Sequence, residues 1–294
     1  MMSIAPANLL FIMSDEHQMG AMGCAGHPIV KTPNLDRLAS EGTRFEAAYT
    51  ASPICVPARA AFATGRRVHD TGYWCNAHPY DGKVKSWGHR LQETGHTVLS
   101  IGKLHYRDEA DPTGFDTQVN PMHVVDGVGD VMGAVRDQLP VRHRTKALSE
   151  KIGPGDSTYI QYDRQITAEA QRWLTEEAPK LDRPWVVFVS LVCPHFPLIA
   201  PPAFYAMYPP DEMPAPRDRP DDGVARHPWI EAQAGCQIYD RFFTEETRRI
   251  AIASYYGLTS FQDDNVGKVL AALVRESGIA KDEIDGLIVA SYTL

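Results

Sequence analysis

Long hydrophobic runs, clustered positive charge and paired cysteines are what this sequence has least of. The longest early apolar stretch covers residues 9–13, far short of the ~20 residues that span a bilayer, and no basic segment precedes it. Neither a membrane span nor a signal peptide is expected. Lysine and arginine number 29 against 37 aspartates and glutamates, a net charge of −8, and no basic run is longer than a pair such as Arg66-Arg67. Binding a phosphate backbone needs the opposite balance, so nucleic acid is not an expected partner. The five cysteines, Cys24, Cys55, Cys75, Cys193 and Cys236, are odd in number and lack CxxC spacing. That argues against a disulfide framework and a zinc ribbon, and makes a reducing cytoplasm the simplest compartment.

What is present suits one sizeable core. The chain has 294 residues, 44% hydrophobic and 22% charged, with no internal repeat and no hinge-like linker, so a single unit over residues 1–294 is expected. Residues 8–13 form a continuous apolar run that ends at Ser14, Asp15, Glu16 and His17, the pattern of a strand buried on both faces. Residues 32–42 carry a cap, Pro33, the spaced pair Leu35 and Leu38, and a closing Gly42, which predicts a helix. Residues 84–94 predict another helix and residues 96–101 the next strand, ending at Gly102-Lys103-Leu104-His105. A further helix is expected over 162–178, the strongest buried strand over 185–192, a long helix or two over 244–277, and a last strand over 284–290. Strand, helix and strand in alternation predict an α/β fold with a mostly parallel sheet. Residues 108–156 and 200–243 read as loop-rich excursions, and the proline-dense part, residues 201–222, as a surface segment, a candidate lid.

Three of these strands end in ionisable groups: Asp15 with Glu16, Lys103 with His105, and His195. Ligands of open α/β sheets bind at such carboxyl ends. Each group alone is weaker evidence than a structural role; convergence of all of them suits an anion-handling metal site. Cys55 is followed by Pro57, Arg59 and a run that closes at Gly65. A side chain there sits at a helix N-terminus, where free amides and the macrodipole favour negative charge, with Arg59 one turn on. On helix physics alone a buried thiol before an ordinary helix is equally good. Asp263, Asp264 and Asn265 look like a metal cluster but fall inside a predicted helix, where neighbours point apart, so packing is favoured. His17, His27, His69 and His78 carry no particular reason for promotion.

Cys55-Val56-Pro57-Ala58-Arg59 with Thr64-Gly65-Arg66 resembles the C-x-P-x-R and T-G motif of the sulfatase family, in the alkaline phosphatase-like superfamily. The segments at residues 8–16, 32–38 and 102–105 and the trio His195-Phe196-Pro197 resemble that family's other motifs in the right order. The resemblance implies a three-layer α/β/α sandwich and hydrolysis of sulfate esters. It implies that Cys55 is oxidised to Cα-formylglycine by a formylglycine-generating enzyme, and that the hydrated aldehyde is the nucleophile. It gives Arg59 the task of holding that group, Lys103 and His105 contact with the anionic oxygens of the ester or with the diol, and His195 a donor role near the bridging oxygen. One divalent cation, Ca2+ or Mn2+/Mg2+, would rest on Asp15, on Glu16 with its longer arm, and on the modified Cys55.

The family's later Asp-His or Asp-Asn metal pair and downstream lysine have no counterpart before Leu294. The chain is therefore expected to be C-terminally truncated, incomplete in its sheet, weak in metal binding and poor in turnover. The prolyl segment at residues 201–216 resembles phosphonate monoester hydrolases and related phosphodiesterases, whereas residues 102–105 fit sulfatases better. A small sulfate or phosphonate ester is the expected substrate, with homo-oligomerisation left open. The rival from another class is a non-catalytic sulfatase-like binding module.

Overall fold

The computed structural model describes residues 7–129, 139–216, 227–276 and 288–292. In chain order the elements are β1 (Leu9–Asp15), α1 (Pro33–Glu41), α2 (Cys55–Thr64), α3 (Val68–Thr71), α4 (Trp87–Glu93), β2 (Thr97–Lys103), β3 (Thr117–Met122), α5 (Ala147–Glu150), β4 (Ile152–Pro154), α6 (Thr158–Arg172), β5 (Trp185–Pro194), β6 (Leu198–Ala200), α7 (Pro202–Tyr205), α8 (Pro228–Cys236), α9 (Glu245–Ala271) and β7 (Ile288–Tyr292). Five strands make the main sheet in the order β3-β2-β5-β1-β7. Every neighbouring pair runs parallel. Among the described residues no helix is long and apolar enough to cross a membrane.

Strand alternation divides the core into two faces. Leu10, Ile12, Leu99, Ile101, Val187, Val189 and Leu191 join Ile166, Ala170 and Leu174 of the α6 region and Val266, Val269 and Leu270 of α9. The opposite face carries Met13 and Phe188 against Ala60 and Ala63 of α2, with Tyr80 and Tyr106. Helices therefore cover both sides, and the parallel sheet lies between them. This explains why β5 is buried along its whole length: a central parallel strand covered on both faces has no solvent side, and each large side chain buried there is worth roughly 1.5–3 kcal/mol.

Helix α9 also fixes the entry of α1. The Asp263 carboxylate accepts from the amides of Asn34 and Leu35 at 3.2 and 2.8 Å and from Asn34 Nδ2 at 2.9 Å. It is thus the N-terminal cap that Thr32 does not supply. One turn on, a Cβ at Gly267 would meet Asn34 at 2.5 Å, so only glycine lets the two helices come this close. Asp264 pairs instead with Lys268 on the outer side, which agrees with a packing reading of this cluster.

Some expectations need correction. The excursion at 108–156 contains β3, which among the described residues is an edge strand paired with β2 alone. Its polar, Pro121-containing sequence hides it, because an edge strand needs neither two buried faces nor every amide. The helix expected at 84–94 begins only at Trp87, capped by Ser86, and α6 begins at Thr158, capped by Ser157, ahead of the expected Tyr162. The proline-dense segment is not simply surface: Tyr208 and Met213 are buried, with Tyr208 Oη bonded to Ser260 at 2.5 Å and accepting from the Lys31 amide at 3.0 Å. The excursion at 200–243 contains α7 and α8. The last strand is observed at Ile288–Tyr292, in register beside β1; residues 217–222, 277 and 284–287 of the expected elements lie outside the described residues.

Candidate active site

The carboxyl ends of β1, β2 and β5 converge, and α2 brings its first turn to the same place. Asp15, the last residue of β1, is fully buried. Its Oδ2 faces Lys103 Nζ at 2.5 Å and an Arg59 guanidinium nitrogen at 3.2 Å. Burial opposes charge on the carboxyl, but the Lys103 and Arg59 cations beside it outweigh this and hold Asp15 below the usual carboxylate range. One buried anion between two buried cations leaves one net positive charge, suited to an ester monoanion.

Lys103 reaches this position because β2 bends at Gly102. The φ there is +101°, and a Cβ would meet the Ser190 carbonyl at 2.4 Å. Arg59, fully buried on α2, also donates to the Lys103 carbonyl at 2.5 Å and to Ser190 Oγ at 2.9 Å. A single guanidinium thus ties α2 to the ends of β1, β2 and β5. These contacts make Arg59 a brace of the strand ends.

Cys55 is the first residue of α2, and its N-cap Ile54 has no side chain that could satisfy the free amides. Burial pushes the thiol up, with Lys103 and Arg59 partly offsetting this, so a free thiolate is not favoured here. His105 follows β2 at a φ of 52°, and Glu16 follows β1 at 58°. Two non-glycine residues in the left-handed region flank the same site, where backbone strain is held by the surrounding structure. For Glu16 the hold is visible: Tyr255 Oη donates to its carbonyl at 2.7 Å and accepts from the Gln18 amide at 2.7 Å.

His105 is neutral, since burial and then the Lys103 and Arg59 charges lower its pKa to about 2. Its Nδ1 is buried with no hydrogen-bond partner among the described residues. His195 Nδ1 donates to the Phe196 carbonyl at 2.7 Å, which leaves Nε2 facing Glu16 Oε1 at 3.4 Å. Burial, then Asp15, raises Glu16 to about 7, while burial, then Lys103, lowers His195 to about 4. Near neutrality the pair therefore carries a proton on the carboxyl side more readily than on the imidazole.

The structure brings together Asp15, Glu16, Cys55, Arg59, Lys103, His105 and His195. His17 is fully buried and bonded to the Ala21 carbonyl, and His27 accepts from the amides of Ile29 and Val30, so both serve local turns. Sequence reading missed Ser190, Tyr255 and Asp163. Ser190 was visible as one polar residue in an apolar strand. Asp163, buried on α6, accepts from the amides of Val192 and Cys193 at 2.7 Å each and fixes the strand end that carries His195. No signal marks Tyr255, since its partner is the distant Glu16.

Residues 7–282 match the family model described as Sulfatase. The chain belongs to the sulfatase family. It is 25% identical over 287 residues to the choline-sulfatase of Rhizobium meliloti, 93% of this chain and 55% of the relative. It is 26% identical over 278 residues to the uncharacterized sulfatase YidJ of Escherichia coli, 92% and 54%. Among solved structures it resembles the phosphonate monoester hydrolase of Agrobacterium radiobacter, with a TM-score of 0.70 at 20% identity over 97% of this chain and 62% of that one. That likeness supports the alkaline phosphatase-like α/β fold. The sulfatase-family chain spans about half the length of these two curated relatives.

Sulfatases of this kind generally use a divalent cation, and the donor set can be weighed for it. Among the described residues no group of three or more His, Cys, Asp or Glu is arranged to hold a metal. Asp15 already faces two cations, and a hard dication wants about six oxygens. The described residues do not by themselves form a cation site.

Proposed function

We propose that this chain hydrolyses sulfate esters, with Cys55 as the precursor of a formylglycine nucleophile. The observation that supports this most is the meeting of the α2 N-terminus, which carries Cys55, with the buried Asp15, Lys103 and Arg59 group. Formylglycine, when formed, supplies a hydrated aldehyde whose hydroxyl can attack sulfur. The chain's own residues do the rest. The open amides and macrodipole at the start of α2 stabilise negative charge beside Cys55. Lys103 sets a cation against the anionic oxygens of the ester, in a buried place where charge acts strongly. Arg59 keeps Lys103 and Asp15 in register by bonding both strand ends. His105, neutral and with Nδ1 open, offers a hydrogen bond without adding charge. Glu16 and His195 hold one proton between Oε1 and Nε2, the proton that a departing alkoxide needs.

Asp15, Glu16 and the modified Cys55 are the described donors that would face a divalent cation, Glu16 only once it has given up the proton it shares with His195, and they do not by themselves complete its site. No step above depends on the cation. Compartment, substrate size and association with a maturation enzyme rest on family expectation. The test is to co-express the chain with a formylglycine-generating enzyme and compare kcat/KM for an aryl sulfate and an aryl phosphonate. Preference for the sulfate supports the reading. Preference for the phosphonate moves the chain to the phosphonate monoester branch, and no turnover of either with Cys55 unmodified supports the non-catalytic rival.

A further inference from the structure

His195 is enclosed by two aromatic rings that the reaction as described does not use. The Tyr159 ring meets the imidazole edge-on with centroids 5.6 Å apart, and the Phe196 ring lies tilted at 4.2 Å. Tyr159 stands in the first turn of α6, and Phe196 follows β5. The two rings therefore reach the histidine from different elements. Neither ring is fully covered: Phe196 is 38% exposed and Tyr159 is partly exposed. Among the described residues the Tyr159 hydroxyl has no hydrogen-bond partner, so no polar anchor accounts for the placing of this ring. Burial, and after it the nearness of Asp15, Cys55 and Glu16, raises the Tyr159 phenol, which places the ring beside the same site. One turn along α6, Asp163 clamps the Val192 and Cys193 amides. The distance between Tyr159 and the strand end bearing His195 and Phe196 is thereby fixed.

Resting on the sulfate-ester reading, we propose that Tyr159 and Phe196 form an aromatic wall that holds the ring of an aromatic leaving group beside His195. The Tyr159 and Phe196 rings border the His195 imidazole, so the carbon next to an ester oxygen placed at that imidazole must lie against the surfaces that border it. Those surfaces are two partly open rings, which favour edge-to-face or offset contact with a flat π-system over contact with a short alkyl chain. The wall is thus specificity-determining: it acts on the organic half of the ester, while Lys103 and the α2 N-terminus act on the anionic half.

Binding separates the two halves without needing turnover. In a Cys55→Ala background, calorimetric Kd values are measured for phenyl sulfate and ethyl sulfate, with and without Tyr159→Leu and Phe196→Leu. Either leucine should raise the Kd of phenyl sulfate about fivefold and leave ethyl sulfate within about twofold, the size of an aromatic pair contact. Tyr159→Phe, which keeps the ring, should restore phenyl sulfate affinity. Equal weakening of both esters, unchanged phenyl sulfate affinity in both variants, or no binding of either ester to the parent would overturn the wall. Unchanged ethyl sulfate affinity also reports that the leucine variants are folded. The sulfate-ester reading fails separately, when the matured wild-type chain cleaves neither aryl sulfate nor aryl phosphonate.

Discussion

The floor of the site and its rim are built on opposite principles. The floor consists of Asp15, Lys103 and Arg59, all fully buried, with charges fixed by one another and by the strand ends. The rim consists of Glu16, His195, Tyr159 and Phe196, partly open, with a proton that moves near neutrality and rings that can meet a ligand. A fixed charge pattern requires burial and multiple bonds, whereas proton transfer and ligand entry require neither to be complete. Folding and chemistry should therefore separate along this line when residues are changed.

The largest effect belongs to the floor. Arg59→Ala removes bonds to Asp15, Ser190 and the Lys103 carbonyl together and should cost about 3–5 kcal/mol of unfolding free energy, as for a buried pair broken on one side; urea denaturation measures this. Asp163→Asn comes next. An amide presents one acceptor where two are used, so one of the two strand-end amides is left unsatisfied, at about 1–3 kcal/mol. If Asp163 positions His195 as well as stabilising the fold, kcat should fall with KM little changed, and Asp163→Glu should not fully restore it.

Acid should weaken the fold through buried His17. Burial lowers its pKa from 6.5 to about 4, whereas the like effect at His195 is opposed by Glu16, raised to about 7. Between the two His17 values the unfolded chain binds more protons at this residue than the folded one, so its contribution to stability falls as pH drops through that window, by up to about 1.4 kcal/mol per pH unit. His17→Gln should therefore lose less Tm than the parent between pH 7 and 4, without shifting activity at neutral pH. The smallest effect belongs to the rim: Tyr255→Phe removes the bridge between Glu16 and Gln18 and should cost about 1 kcal/mol. Its larger signature would be a broadened pH profile, because Glu16 loses the group that holds its backbone.

Much of this architecture can be read from the chain before any coordinates. β1 and β5 announce themselves as unbroken apolar runs, because a central parallel strand has no polar face. Cys55, Pro57 and Arg59 mark the start of α2 because helix entry has its own residue chemistry. β3 escapes that logic, being an edge strand with a polar face and Pro121. Tyr208 escapes because prolines around it read as surface, while its burial depends on Ser260 and Lys31 from other elements. The candidate site divides in the same way. Its ionisable members can be found at strand ends, but Arg59 as a brace, the Glu16–His195 proton and the Asp163 clamp are contacts between residues far apart in sequence, which no local pattern encodes.

The most direct test of the account is mass analysis of the tryptic peptide spanning residues 45–59, taken from chain co-expressed with a formylglycine-generating enzyme. The peptide should show the mass in which the CH2SH of Cys55 has become CHO, together with aryl sulfate turnover that Cys55→Ala abolishes. An unmodified thiol under those conditions, with no turnover, would contradict it.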